Sequence, residues 1–141
     1  MRETLKALFS LIVLIGLMLG CSKLSNLAGD NSDKLFFCES YNKTTDNCEG
    51  KSLKYSEGYL TVMVDIRPSK KKLGVKSVNI NITDLSSGKV VDTYPYDTDP
   101  DMDYVYFEKV DFKSPGKYKV SALKPDGTVI VSNEIEIVEK K

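Results

Sequence analysis

The feature that most limits the fold of this chain is a series of short runs in which apolar and polar residues alternate. In YLTVMVDIR, residues 59–67, the apolar side chains at 60, 62, 64 and 66 are predicted to share one face, with Thr61, Met63 and Asp65 on the other. Further alternating runs occupy residues 75–85, 103–112, 117–123 and 128–139. Gly, Pro, Asn and Asp separate them, as in SSGK, SPG and KPDG. Period-two runs bounded by turn residues predict an all-β sandwich or barrel.

One stretch is more specific than alternation alone. In SPGKYKVSALKPDGTVIVS, residues 114–132, Tyr118 lies two residues before Val120. This resembles the last hairpin of an immunoglobulin-like (Ig-like) or fibronectin-III-like domain, where a tyrosine corner precedes a conserved core position by two residues. The resemblance implies an Ig-like antiparallel β-sandwich of about seven strands over residues 34–141, of the broad bacterial class without the inter-sheet Cys pair and Trp. A tyrosine in any half-buried strand would have the same pattern.

The N-terminus indicates export. A slightly basic MRETLK precedes ALFSLIVLIGLML, a run of thirteen apolar or small residues. A membrane-spanning helix needs roughly 20 such residues, whereas a signal-peptide core has about 7–15. After Cys21 the chain turns polar at once, with SKLSNLAGDNSDK. The pattern favours a signal peptide over a retained helix.

The end of that run resembles the bacterial lipobox, in which Gly or Ala precedes an invariant cysteine. Gly20 and Cys21 match it, while Met18 and Leu19 are bulkier than the usual residues. The resemblance implies a lipoprotein signal peptide over 1–20, cut before Cys21, whose acylation anchors the chain in a membrane. Residues 21–33 would then be the lipidated N-terminus and a tether. Ser22, in place of the aspartate associated with inner-membrane retention, implies the outer membrane.

Three cysteines are an odd number, which needs an explanation in an exported protein. If Cys21 carries lipid, Cys38 and Cys48 remain as an even pair in an oxidising compartment, which predicts a disulfide. It would close ESYNKTTDN, a polar nine-residue loop, and contribute roughly 2–3 kcal/mol. Free thiols and a metal pair are the alternatives. The absence of a CxxC spacing and of histidine disfavours the metal pair.

The charge balance and the missing histidine narrow the function classes. Lys plus Arg and Asp plus Glu both number 20, so nothing suggests a nucleic-acid partner. Without any histidine, Ser-His-Asp, Cys-His and HExxH sites are impossible. Catalysis by carboxylates alone or by lysine stays open, but we expect a protein that is not an enzyme.

One segment is a candidate cation site. YPYDTDPDMDY, residues 94–104, has four alternate carboxylates that could surround Ca²⁺. The EF-hand pattern fails, because its sixth position is Met102 in place of Gly and Pro100 interrupts the turn. A solvated acidic loop between two strands is therefore favoured over a calcium site, and no other cofactor is predicted. The four candidate ligands are Asp97, Asp99, Asp101 and Asp103.

The tyrosines beside that loop are candidate contact residues. Exposed tyrosines serve as rigid amphipathic contacts at interfaces, but aromatics in strands also pack inward. Both interpretations are open, with the inward half of them expected to pack. The residues are Tyr94, Tyr96, Tyr104 and Tyr106.

These observations together predict a lipid-anchored module of the cell envelope that displays an Ig-like domain at the outer membrane for contact with a protein partner. The alternative is a periplasm-facing accessory subunit of an outer-membrane assembly. Sandwich domains are general scaffolds, and the fold does not identify the partner.

Overall fold

The computed structural model describes residues 32–141, and Ser32–Lys141 form one compact unit. The predicted signal peptide, Cys21 and the tether up to residue 31 lie outside the described residues. The only helical element among residues 32–141 is a single 3₁₀ turn, Arg67–Ser69. None of this part of the chain forms a helix long enough to cross a membrane.

Residues 32–141 form a two-layer β-sandwich. The strands are β1 (Lys34–Cys38), β2 (Ser40–Asn42), β3 (Asn47–Glu49), β4 (Lys54–Ser56), β5 (Gly58–Asp65), β6 (Ser77–Asp84), β7 (Val90–Asp97), β8 (Tyr104–Phe112), β9 (Gly116–Leu123) and β10 (Val129–Val138). One sheet has the strand order β1-β5-β8, and the other has the order β4-β10-β9-β6-β7. A separate hairpin is made by β2 and β3.

The predicted fold class, an Ig-like all-β sandwich, is confirmed. Seven longer strands make up the two layers, as expected, and β2, β3 and β4 are short additions. The pairing is antiparallel except at one edge, where β4 runs parallel to β10. That pair departs from the fully antiparallel prediction, because the chain crosses from one sheet to the other between β1 and β4.

The core lies between the two sheets and is made by the alternating apolar residues. Burying apolar side chains on one face of each strand is what brings the layers together. The core side chains, all at most 8 % exposed, include Leu35, Phe37, Leu60, Val62, Val64, Val78, Ile80, Ile82, Val105, Phe107, Val110, Phe112, Val120, Ile135 and Ile137.

The predicted tyrosine corner is present. Tyr118, at 8 % exposure, donates its hydroxyl hydrogen bond to the Ser114 carbonyl oxygen at 2.8 Å. Its ring passes close to Gly116, where an added Cβ would come within 3.2 Å of the hydroxyl oxygen. Val120 is fully buried in the core. The hydroxyl therefore ties the start of β9 to the segment before it, as in Ig-like domains.

Replacing Tyr118 with Phe should lower the free energy of unfolding by about 1 kcal/mol, because it removes one hydrogen bond and leaves a carbonyl unsatisfied. Urea-unfolding midpoints would measure the loss. Tyr59→Phe is the matched control, because the Tyr59 side chain is 68 % exposed and the variant should be unchanged. Equal midpoints for wild type and Tyr118→Phe would contradict a structural role for the hydroxyl.

The strand register defines the two ends of the sandwich. At one end, Lys34 of β1 pairs with Asp65 of β5, which in turn pairs with Tyr104 of β8. Asp33 accepts a hydrogen bond from the Ser69 backbone N–H at 3.1 Å there. We call this the proximal end, because the described chain begins at it. It includes residues 66–76, 98–103 and 124–128, and the distal end includes residues 85–89, 113–115 and the C-terminus.

Candidate interaction surface

The two sheet cysteines hold a hairpin that lies outside both layers. Cys38, the last residue of β1, forms a disulfide with Cys48 in β3, in agreement with the pairing expected from the cysteine count. The segment between them was predicted as a polar loop. It is a hairpin, in which Ser40 pairs with Glu49 and Asn42 with Asn47. Asn42 accepts a hydrogen bond from the Thr44 backbone N–H at 3.0 Å, which stabilises the turn.

This hairpin covers the outer side of the three-stranded sheet. Cys38, Cys48 and Met63 form a second small cluster of buried side chains, with Met63 fully buried. Alternation along β5 predicts that Met63 and Thr61 face outward, and both are buried. Alternation assigns a side chain to one face of its own sheet, and it does not say what covers that face.

Four aromatic rings border the hairpin. Phe36, Tyr41, Tyr104 and Tyr106 are half-buried and pack against the disulfide cluster, and we call them the aromatic face. Tyr41 stacks on Tyr106 with ring centroids 4.1 Å apart and an interplanar angle of 17°. The Tyr41 hydroxyl donates a hydrogen bond to the Asp46 carboxylate across the hairpin turn. The stack therefore links the hairpin to β8.

Three cations lie over rings of the aromatic face. The Lys43 ammonium is 5.9 Å from the Tyr106 centroid, and the Lys51 ammonium is 4.7 Å from the Phe36 centroid. The Arg67 guanidinium carbon is 3.9 Å from the Tyr104 centroid. Cations within about 6 Å of a ring face are attracted by its quadrupole.

Arg67 is fixed over Tyr104 by Asp65. Its Nε and Nη2 donate to the two Asp65 carboxylate oxygens at 2.9 and 2.8 Å. These hydrogen bonds lower the pKa of the Asp65 carboxyl below its usual value, although burial acts in the opposite direction. A depressed carboxyl pKa means that the stabilisation is present at neutral pH and is lost as the pH falls through that pKa. Burial raises the pKa of the Tyr104 hydroxyl, which stays neutral at physiological pH.

Two of the four candidate tyrosines lie on the five-stranded sheet and two on the three-stranded sheet. Tyr94 and Tyr96 on β7 pack against the main core, and their hydroxyls donate to backbone oxygens of β8. The distances are 3.1 Å from Tyr94 to the Asp111 oxygen and 2.7 Å from Tyr96 to the Glu108 oxygen. These two side chains close the sandwich between its β7 and β8 edges. Tyr104 and Tyr106 belong to the aromatic face.

Sequence reasoning missed half of the aromatic face and the cations that lie over it. Phe36, Tyr41 and Arg67 were not among the predicted contact residues, and Lys43 and Lys51 were not either. The available signal was Tyr41, a lone aromatic residue in an otherwise polar segment between two cysteines. Its meaning depends on the hairpin folding back onto β8, which no local pattern reveals.

The four aspartates of the predicted cation site do not converge. Asp103 forms an ion pair with Lys72 at 2.6 Å, and Asp99 accepts a hydrogen bond from the Asp101 backbone N–H at 2.9 Å. Asp97 is the exposed last residue of β7. Within residues 32–141, no three Asp, Glu, Cys or His side chains are grouped so that they could hold a metal ion. The geometry of the loop is that of a solvated connection between β7 and β8.

Millimolar Ca²⁺ should therefore leave the melting temperature of this domain unchanged, to within about 1 °C. A site filled at a hundred times its dissociation constant would add about 2.7 kcal/mol to the free energy of unfolding and raise the melting temperature by several degrees. Differential scanning calorimetry with Ca²⁺, with Mg²⁺ and with a chelator would measure this. A rise specific to Ca²⁺ would restore the calcium interpretation of the acidic loop.

Comparisons with known proteins find similar solved structures but no matching family. No protein-family model matches this chain, and no curated protein sequence matches it. It is similar to the PmoD soluble domain from Methylocystis sp. ATCC 49242 (Rockwell), at 10 % identity, over 75 % of this chain and 90 % of that one, with a TM-score of 0.46. It is similar as well to an immunoglobulin-like protein from Pseudomonas aeruginosa, at 10 % identity, over 74 % and 92 % of the two chains, with a TM-score of 0.43.

Proposed function

We propose that this protein is a lipid-anchored interaction module of the cell envelope, which binds a protein partner through the aromatic face. The N-terminal sequence supports the anchor: a short apolar run ends at Gly20 and Cys21, and a polar stretch follows. Cys21 would carry the acyl chains in the outer membrane, and the sandwich would be joined to it through residues 22–33. The role is binding and not catalysis.

The observation that carries the binding role is the aromatic face itself. The main core of the sandwich does not include the hairpin that carries Tyr41, yet a buried disulfide holds that hairpin in place. Stacking on Tyr106 and the Arg67 contact to Tyr104 restrain the rings before any partner arrives. Rigid aromatic and arginine side chains dominate protein interfaces, because they bury a large area at a low entropic cost.

Site-specific photo-crosslinking in the cells that produce the protein would test this role. A benzophenone amino acid in place of Tyr104 should give a discrete cross-linked product, because the ring is half-buried at the edge of the face. The matched control is the same substitution at Lys119, an exposed residue of β9 on the outer side of the other sheet. Products of equal yield at both positions, or none at position 104, would refute the aromatic face as the binding surface.

The orientation of the domain decides between display and an accessory role. Protease added to intact cells should digest a surface-displayed domain and leave a periplasm-facing one whole. Digestion, with a periplasmic protein protected in the same sample, supports display at the cell surface. Full protection of the domain would instead favour the periplasm-facing accessory subunit.

A further inference from the structure

A cleft at the distal end is lined by residues of the edge strands β7 and β8. Nearer the proximal end, the Tyr94 and Tyr96 hydroxyls join these edges. Beyond Tyr94 nothing comparable bridges them within the described residues, except one ion pair between Asp92 and Lys113. The cavity there has a volume of about 420 Å³. The residues that line it include Ile82, Asp84, Asp92, Asp111, Phe112 and Lys113.

The cleft has an apolar floor and an acidic rim. Ile82 and Phe112, each 2 % exposed, belong to the main core and form the floor. Asp84, Asp92 and Asp111 line the cavity, and Lys113 is the single cation among its lining residues in the part of the chain from 32 to 141. The Lys113 ammonium lies 3.3 Å from the Asp92 carboxylate, and the Asp84 carboxylate accepts hydrogen bonds from the Ser86 backbone N–H and hydroxyl. The cleft therefore keeps a net negative charge of two.

The distal end also carries most of the exposed apolar surface. Of the seven large apolar side chains that are exposed among residues 32–141, five lie in the distal half. They are Leu53, Tyr59, Leu85, Val90 and Val91, with exposures between 41 and 68 %. Of these five, Val91 lines the cleft. The distal end is also opposite to Ser32, the first of the described residues.

We propose that the cleft receives an arginine or lysine side chain of a partner protein. The aliphatic stem would lie against Phe112, and the cationic group would lie between Asp92 and Asp111. In the free protein, the Lys113 ammonium pairs with the Asp92 carboxylate. The incoming cationic side chain would replace Lys113 in this ion pair. The statement that the partner is a protein rests on the proposed function, whereas the shape and charge of the cleft do not. This site is separate from the aromatic face.

A titration of the ¹⁵N-labelled chain of residues 22–141, which contains the whole described core, would test the proposal. The probe is the blocked peptide acetyl-Gly-Arg-Gly-amide, and its citrulline counterpart is the uncharged control. The arginine peptide should shift the amide signals of residues 82–92 and 111–115, and the citrulline peptide should not. Equal shifts with both peptides, or shifts spread over the acidic loop at 97–103, would overturn the proposal.

Two sets of variants should change the affinity for the arginine peptide in opposite directions. Asp92→Asn with Asp111→Asn should weaken binding of the arginine peptide about tenfold or more, the loss expected from removing a charge-assisted hydrogen bond. Lys113→Ala should tighten it several-fold, because the internal competitor is gone. The matched control is Asp99→Asn with Asp101→Asn, which changes the net charge equally at the proximal end and should not alter binding. Weaker binding by Lys113→Ala would refute the exchange.

This test is independent of the one for the aromatic face. The titration needs neither lipid nor a cell, so its failure would leave the anchor and the Tyr104 cross-link untouched. Failure of the cross-link would likewise leave the arginine titration standing.

Discussion

A Cys21→Ala variant is expected to lose its membrane anchor completely. Two or more acyl chains hold a protein on a bilayer stably, because each buried CH₂ group contributes about 0.8 kcal/mol. Without the thiol no acyl chain can be attached, and nothing among residues 32–141 forms a membrane-spanning helix that would replace it. Labelled palmitate should disappear from the protein, and the chain should either stay uncut or leave the membrane fraction.

A Cys48→Ala variant is the matched control for this experiment. It removes another cysteine and should destabilise the hairpin, but it leaves the predicted lipobox intact. Its palmitate label should equal that of the wild-type protein. Unchanged labelling of Cys21→Ala would refute lipidation at this residue and would remove the main support for the proposed location.

Removing the disulfide should have the second largest effect. For the double variant Cys38→Ala, Cys48→Ala, we expect the free energy of unfolding to fall by about 3 kcal/mol, the loop-closure value for a cross-link spanning 10 residues. For a domain of this size, that corresponds to a fall in melting temperature of roughly 10–15 °C. The hairpin pairs with neither main sheet, so the fall should be accompanied by exposure of Met63.

Chemical unfolding and amide hydrogen exchange would measure the two parts of this prediction. The reduced wild-type chain is the matched control, because it keeps both cysteine side chains and lacks only the sulfur–sulfur bond. It should lose most of the same stability and should lose protection first in β2 and β3. If the oxidised and reduced chains unfold at the same denaturant concentration, the disulfide does not stabilise the fold.

The main layers of the sandwich could be predicted because their signal is local. Leu60, Val62 and Val64 alternate along β5, and the same period recurs in β6 and β8. The tyrosine corner is also local, since Tyr118 reaches a carbonyl oxygen only four residues away. The parallel pairing of β4 with β10 was not predictable, because it joins Lys54 to Glu136 across most of the domain.

The candidate site was predicted less completely than the fold. Tyr104 was identified, because an aromatic residue near an exposed loop is a recognisable pattern. Arg67, which lies over Tyr104, and Tyr41, which stacks on Tyr106, come from other parts of the chain. Tyr94 and Tyr96 have the same sequence surroundings as Tyr104, yet their hydroxyls bind the backbone of β8 inside the sandwich.

The sequence by itself indicated the longer strands from residue 59 onward, the alternating apolar residues that they bring to the main core, and the expected pairing of Cys38 with Cys48. Each of these follows from the period-two geometry of a strand or from counting thiols. Only the tertiary structure decided that the Cys38–Cys48 hairpin covers Met63, that it creates the aromatic face, and that residues of β7 and β8 line the distal cleft. The physical reason is that the sequence pattern of a strand specifies only the two faces of that strand. The layer that covers each face depends on contacts between residues far apart in the chain. One example is the hydrogen bond from the Asn133 side chain to the Leu35 carbonyl, 98 residues away.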